Sequence, residues 1–361
     1  MPRKLASMED TFLEMILASP DDEDPRLVFA DWLEEQGNPR GEFIRLQCQR
    51  AKLTRYDPEW QPLLAREAVL FREYEGQWSK PFLRHVEYAG FRRGFVEHVQ
   101  VSASKLLKAG DRLFRAAPIR SVKIIHADRL AEIAASPWLS RIVELDLSGN
   151  LLGGKSLQAL LRSKYCQLRT LRLDECGLYP AVVQALASAS SLTTLSSLSL
   201  AHNDVGEEGL RSLAEAENLK GLRELSLVRN QITSSGVRIL TNHPVFRLTS
   251  LALSSNRIGN EGAAAIAACD RFADLRRLDL HSNEIGNAGL KALVESPNLH
   301  QIEHLGLNAN HITSRGVQIL TESAMLGNLR SIDLRTNEID KATKETIPQR
   351  LKTPKLRELL F

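Results

Sequence analysis

The pattern L-x-x-L-x-L-x-x-N recurs eight times down the C-terminal two-thirds of the chain, each copy followed by a short polar turn and an apolar stretch. Its ninth position falls at Asn150, Cys176, Asn203, Asn230, Asn256, Asn283, Asn310 and Asn337, at successive spacings of 26, 27, 27, 26, 27, 27 and 27 residues. A period that constant specifies a solenoid, in which each unit buries its apolar face only against its neighbours. Solenoids present extended surfaces, so the pattern points to a binding partner before it points to a substrate.

One copy shows how a repeat builds itself. In Leu248-Thr-Ser-Leu251-Ala-Leu253-Ser-Ser-Asn256-Arg-Ile258-Gly259, Leu251 and Leu253 alternate with polar neighbours, the period of a short strand with one buried face. The carboxamide of Asn256 sits where the chain leaves the strand and can bond backbone groups that stacking would otherwise strand. Ile258 plugs the turn, and Gly262, Ala263 and Ile266 supply the buried side of an outer helix. Parallel strands are expected at 145–147, 171–173, 198–200, 225–227, 251–253, 278–280, 305–307 and 332–334. Helices are wider than the roughly 4.8 Å strand spacing, so strands should line the inner curve of a horseshoe and helices the outer one.

The frame, extended to L-x-x-L-x-L-x-x-N-x-I-x-x-x-G, resembles the leucine-rich repeat, and its helical outer tract is similar to the ribonuclease-inhibitor-like class. The likeness covers about residues 96–361 and implies an α/β solenoid with parallel inner strands and outer helices. That class includes protein-binding scaffolds and activators of GTPases, so the fold leaves function open. Two degenerate copies, Val96-x-x-Val99-x-Val101-x-x-Ser104 and Ile119-x-x-Val122-x-Ile124-x-x-Ala127, precede the eight regular ones. A truncated copy opens at Leu356-x-x-Leu359.

Residues 1–55 read as three short helices. Ser7 and Asp10 form a capping-box-like start, Asp24-Pro25 and Asn38-Pro39 open the second and third, and Gly37 ends the second. The string from Asp22 to Gln47, DEDPRLVFADWLEEQGNPRGEFIRLQ, closely resembles the bacterial repeat-companion domain, a short module found ahead of repeat arrays. Two roles stay open for it, a cap on the solenoid or a docking tag. Residues 56–95, rich in aromatics (Trp60, Phe71, Tyr74, Trp78, Phe82), are expected to be a helical connection.

Charge is nearly balanced, 47 basic against 44 acidic residues, which argues against a nucleic-acid or membrane surface. The first 47 residues differ, with 5 Lys/Arg against 11 Asp/Glu, a net of −6. Cys48, Cys166, Cys176 and Cys269 share no disulfide or zinc spacing, and no apolar run is long enough for a signal peptide or a membrane span. A cytoplasmic protein, monomeric by default, with no cofactor, is the expectation.

Residues interleaved with the strand leucines face the concave surface, and in register they form columns. From Glu144 onward the middle repeats offer small side chains. Charge and size gather at the two ends, above all in Arg277, Asp279, His281, His304, Asn308, Asp333 and Arg335. These seven are the candidate protein-binding residues. Asp279 and His281 share a face, superficially an acid–base pair, but no serine or cysteine lies in a nucleophile turn and an open sheet excludes little water. His281 aligns with Asn308, which puts His304 four residues away, about 13 Å along the strand, too far to share a metal ion with His281. Cys176 takes a position that tolerates a buried thiol. The sequence therefore points to a non-enzymatic protein-binding scaffold. Regulation of a GTPase or other nucleotide-hydrolysing partner is the alternative the resemblance suggests, and an enzyme in its own right stands behind both.

Overall fold

The structure, a computed structural model, describes residues 7–242, 244–323, 327–350 and 355–361, without the side chains of 348–350. The first six residues of the N-terminal module therefore lie outside the described residues. The chain divides into two compact units, one up to Asp146 and one from Leu147.

The first unit opens with α1 (Met8–Ala18), α2 (Asp24–Glu35), α3 (Arg40–Ala51) and the long α4 (Trp60–Leu83). Ser7 and Asp10 close a reciprocal capping box on α1. At α2 the expected cap is displaced: Asp22, not Asp24, accepts the first free N–H, because Asp24 is already in the helix. Gly37, at φ +67°, ends α2 as expected, in a conformation only glycine adopts without penalty. Phe12, Ile16, Phe29, Leu33, Ile44 and Cys48 form the core of this helical group, joined by Phe95.

The connection expected at 56–95 is only partly a helix. It ends in β1 (Tyr88–Arg92), which pairs antiparallel with β2 (Phe95–Ser102). The two-residue loop, Arg93 at φ 48° and Gly94 at φ 83°, has the double left-handed backbone of a tight hairpin. A bulge between Gly90 and Phe91 breaks the alternation that would have announced a strand. Phe91 packs on Phe43, Phe71 and Trp78. The degenerate copies then run regularly, as α5 (Ala103–Ala116), β3 (Ser121–Ile125), α6 (Leu130–Ala135) and β4 (Glu144–Asp146), with β2, β3 and β4 parallel neighbours.

The hairpin tip sits in a socket made by the helices. A Cβ on Gly94 would lie 2.1 Å from Ile44 Cγ1, and its N–H donates to Gln47 Oε1 at 2.7 Å. Arg26, fully buried, donates to the carbonyls of Arg93 and Pro20 and lies 2.7 Å from Glu97, itself buried. Arg93 pairs with the other Glu97 oxygen at 3.0 Å. Burial pushes the Arg26 guanidinium below its ordinary pKa, and Glu97 works against that shift.

The second unit is a repeat solenoid. Its strands β5 (Thr170–Arg172), β6 (Ser197–Ser199), β7 (Glu224–Ser226), β8 (Ser250–Ala252), β9 (Arg277–Asp279), β10 (His304–Gly306), β11 (Ser331–Asp333) and β12 (Glu358–Leu360) pair parallel, each with the next. Each of the eight regular strands, β4 to β11, begins one residue earlier than expected. Leu173 shows why: its N–H still bonds Ser199, but the chain is already turning toward a left-handed residue two positions on. Helices α7 (Gly154–Leu161), α8 (Pro180–Ala187), α9 (Gly206–Ala214), α10 (Ser234–Thr241), α11 (Gly259–Ala268), α12 (Asn287–Val294), α13 (Ser314–Thr321) and α14 (Lys341–Arg350) fill the connections. The truncated copy forms β12 as expected, although Leu359 and Phe361 are only half-buried and Leu360 is exposed.

The asparagines form a ladder between repeats. Asn256 Oδ1 accepts from the N–H groups of Asn230 and Ile232 in the preceding repeat, at 3.0 and 2.9 Å. Its Nδ2 donates to Leu227 O at 3.0 Å and to Leu253 O in its own turn at 2.8 Å. Asn203 and Asn310 repeat the scheme. At Cys176 the thiol replaces the amide donor, reaching Leu147 O at 3.3 Å. The residue before each of these eight positions is left-handed: Gly149, Glu175, His202, Arg229, Ser255, Ser282, Ala309 and Thr336 all have φ between 51° and 78°.

Candidate functional site

The strands place side chains alternately in the core and on an open face. Leu278, Leu305 and Ile332 are buried, and the residues on either side of each point outward. Register then sets three rows across β9, β10 and β11. Arg277, His304 and Ser331 form the first, Asp279, Gly306 and Asp333 the second. His281, Asn308 and Arg335 follow two residues on, where the strands give way to the turn. All seven expected residues thus fall on one patch.

The patch is hydrogen-bonded within itself. Arg335 grips Asp333 with Nε and Nη2 at 3.0 and 2.6 Å, and its backbone N–H adds a third bond at 3.1 Å. Burial alone would push the Asp333 carboxyl up; the Arg335 bonds, with His281 nearby, outweigh it and hold the carboxyl below its usual range. The His281 ring lies 3.0 Å from Asn308 O through Nδ1 and 3.2 Å from Ser282 Oγ through Nε2. A carbonyl can only accept, so Nδ1 carries the proton. Asp279 does not touch that ring. Its Oδ1 accepts the His281 backbone N–H at 3.2 Å and lies over Gly306, where a Cβ would come within 2.7 Å of it. Asp279 and His281 are therefore not an acid–base pair. Arg277 is exposed and makes no ion pair or hydrogen bond with its side chain to any described residue.

His304 pairs in register with Arg277, and His281 reaches Asn308, so the two histidines stay in different rows as expected. Among the described residues no group of three or more His, Cys, Asp or Glu is placed to hold a metal ion. Nor is any helix among them long and apolar enough to cross a membrane.

Reading the columns from Glu144 onward missed the outward-facing row of the first unit's own strands. There His98, Ser121 and Glu144 align across β2, β3 and β4. His98 Nδ1 is 2.9 Å from Ser121 Oγ, and Arg92 Nη1 is 2.9 and 3.1 Å from the two Glu144 oxygens. The exposed Tyr88 ring lies 5.9 Å from the His98 ring. Burial raises the Glu144 carboxyl, but Arg92 and Ser121 bring it below the ordinary value. Burial, then Arg92, lowers the His98 imidazole. Ser121 sits between the imidazole and the carboxylate and is buried, so it is no nucleophile; in a catalytic arrangement the imidazole stands between. Stepping the columns back through the degenerate copies would have found His98 and Ser121. Tyr88 and Arg92 had no such signal, since β1 lies outside the repeat.

A family model described as Leucine Rich repeat matches residues 191–214, 221–238, 248–267 and 273–294. Among curated proteins, "NACHT, LRR and PYD domains-containing protein 1a" of Mus musculus is 45% identical over 72 residues, 19% of this chain and 6% of that protein. "NACHT, LRR and PYD domains-containing protein 5" of Bos taurus is 39% identical over 87 residues, 21% of this chain and 8% of that protein. The chain thus matches only a small part of the length of these relatives. Among solved structures, an internalin from Listeria monocytogenes superposes with a TM-score of 0.45 at 22% identity, over 73% of this chain and 71% of that one. A leucine-rich-repeat protein of Leptospira interrogans gives 0.35 at 20% identity, over 67% and 65%. The recurring frame, the stacked strand–helix units and the matched segments all describe one motif: this chain carries leucine-rich repeats.

Proposed function

We propose that the chain is a non-enzymatic scaffold that binds a protein partner through the strand face of its repeats, with most of the binding energy toward β9–β11. The observation that carries this reading is the patch of Arg277, Asp279, His281, His304, Asn308, Asp333 and Arg335 on three adjacent strands. Much of its polar chemistry is fixed by internal bonds before any partner arrives. A surface so ordered loses little side-chain entropy on binding. Arg277 stands out within it as an exposed guanidinium without an ion-pair partner among the described residues, of a residue type enriched in binding hot spots. On this reading the helical outer tracts make the repeats ribonuclease-inhibitor-like, and residues 1–55 are a bacterial repeat-companion module of a cytoplasmic protein. The socket that Arg26 and Gln47 build for the hairpin supports a structural role for that module over a detachable tag.

The test is capture of partners from the native lysate by wild type and two variants. Replacing Arg277, Asp279, His281 and Arg335 together with Ser should release the partner at least tenfold faster while leaving the melting curve close to wild type, since these side chains lie outside the leucine core. Changing Ser199, Ser226 and Ser254 to Ala is the matched control and should do little. Equal retention by both variants moves the site off β9–β11. A GTPase in the captured fraction turns the scaffold into a regulator of nucleotide hydrolysis.

A further inference from the structure

The eight repeats serve as controls for one another, and one position breaks their rule. The residue just after the ladder position is Gly177, Asp204, Gln231, Arg257, Glu284, His311 or Glu338 in seven copies, all polar or glycine. In the first copy it is Leu151, which is 90% exposed. Two positions further on in the turn of the next copy stands Tyr179, 52% exposed, where the other copies have Gly153, Gly206, Thr233, Gly259, Gly286, Thr313 and Asp340. Neither is needed to close the turn, because Leu152 and Leu178 are the buried plugs.

Each side chain reaches toward the turn that carries the other. Leu151 Cδ2 lies 3.3 Å from where a Cβ on Gly177 would sit, and the Tyr179 hydroxyl lies 4.0 Å from the same point on Gly154. Glycines thus floor the patch and leave both side chains standing clear. Around it acidic residues predominate. Glu175 is exposed two residues before Gly177, Asp204 is tied by its N–H to Leu178 O at 2.9 Å, and Glu207 and Glu208 open α9 just beyond Gly206, which abuts Pro180. None of these four carboxylates has an ion-pair partner among the described residues; the cations beside them on the same helices and turns are Lys155 in α7 and Arg211, one turn beyond Glu207 in α9.

We infer that this turn edge, separate from the strand face, docks a short partner segment in which a large apolar side chain is flanked by Lys or Arg. The apolar side chain would settle on Leu151 and Tyr179, a tyrosine being among the residues that carry binding energy when partly exposed at such sites. The carboxylates would select and steer the basic flanks, an effect weakened by salt.

A phage-displayed library of random twelve-residue peptides panned on the full chain tests this, followed by fluorescence-anisotropy titration of the selected peptides. Enriched peptides should place Leu, Phe or Trp within two residues of Lys or Arg. Leu151→Ser and Tyr179→Ser should each weaken their binding at least tenfold with unchanged melting curves. The double change Glu175→Lys with Asp204→Lys should weaken binding severalfold and flatten its salt dependence. Arg277→Ser should leave it unchanged, which separates this site from the strand face. Peptides that bind Leu151→Ser as tightly as wild type, an acidic consensus, or a library with no enrichment overturns the inference. So does a wild-type dimer in gel filtration that Leu151→Ser dissolves, because the patch would then join two copies of this chain.

Discussion

Asn256 and Asn283 occupy equivalent turns yet are not equally satisfied. Asn256 uses both ends of its carboxamide, whereas Asn283 donates through Nδ2 and its buried Oδ1 has no hydrogen-bond partner among the described residues. In the repeat before Asn283 the Gly259 N–H bonds the Asn283 backbone carbonyl at 2.9 Å, and no described N–H reaches Oδ1. Asn256→Ala should therefore cost on the order of 1–3 kcal/mol by orphaning buried backbone groups, and Asn283→Ala measurably less. Urea denaturation of the two variants checks the order, and equal losses would refute this account of the ladder. The ladder itself was legible, because an asparagine at constant spacing has one physical use in a stacked turn. The left-handed residue before it was not. Only Gly149 announces that backbone; Glu175, Arg229, Ser255 and their equivalents adopt it because the turn imposes it. Ser255 already carries the left-handed penalty of a side chain, about 1–2 kcal/mol, so Ser255→Gly should be no less stable than wild type, while the β-branched Ser255→Val should be less stable, as thermal melts will show.

At the scale of elements, the informative contact is the hairpin tip in its helical socket. Gly94→Ala meets two obstacles at once, a positive φ and a Cβ driven onto Ile44. The expected loss is at least about 2 kcal/mol, combining backbone strain with overpacking. Glu97→Gln should be as damaging, about 3–5 kcal/mol, because it leaves the buried Arg26 without a counter-charge. The double variant Arg26→Met with Glu97→Leu should recover much of that loss, and chemical denaturation of the set distinguishes these outcomes. The three helices were readable from caps and glycine, but their central arginine was not. Arg26 looks like an ordinary solvent-facing residue in Pro25-Arg26-Leu27 until a hairpin seventy residues later arrives to bury it. β1 escaped notice for a related reason, since its bulge breaks the alternation and its Arg-Gly loop is a weak turn signal beside Asn-Gly.

Across the molecule, all four cysteines are buried and free. Burial, then Glu23, pushes the Cys48 thiol up to about 11, and burial raises Cys166 and Cys269 as well. A folded-state pKa above the unfolded one makes the folded chain hold its protons longer. The stability this supplies is complete below the unfolded thiol's value, roughly 8.5, and is lost as pH rises toward about 11. Relative to Cys48→Ala, wild type should thus lose urea resistance between pH 9 and 11 and show no difference in trend below pH 8. At pH 8 iodoacetamide should label the cysteines only as the chain unfolds. The candidate site was legible in its residues, because register follows from a constant period, but not in its chemistry. The sequence shows only that Asp279 and His281 share a face; the backbone turn gives Asp279 an N–H and sends the His281 ring to Asn308. The asparagine ladder has a direction, and direction matters to a chain made from one end. The carboxamide oxygens of Asn203, Asn230, Asn256, Asn310 and Asn337 accept open N–H groups of the repeat before them, not of the one after. On the ribosome, a turn capped in this way must therefore wait for another period of 26 or 27 residues to emerge before its donors are satisfied. Along the ladder the nascent solenoid would travel with an unfinished turn at its growing end, and that moving gap is where a chaperone would find it.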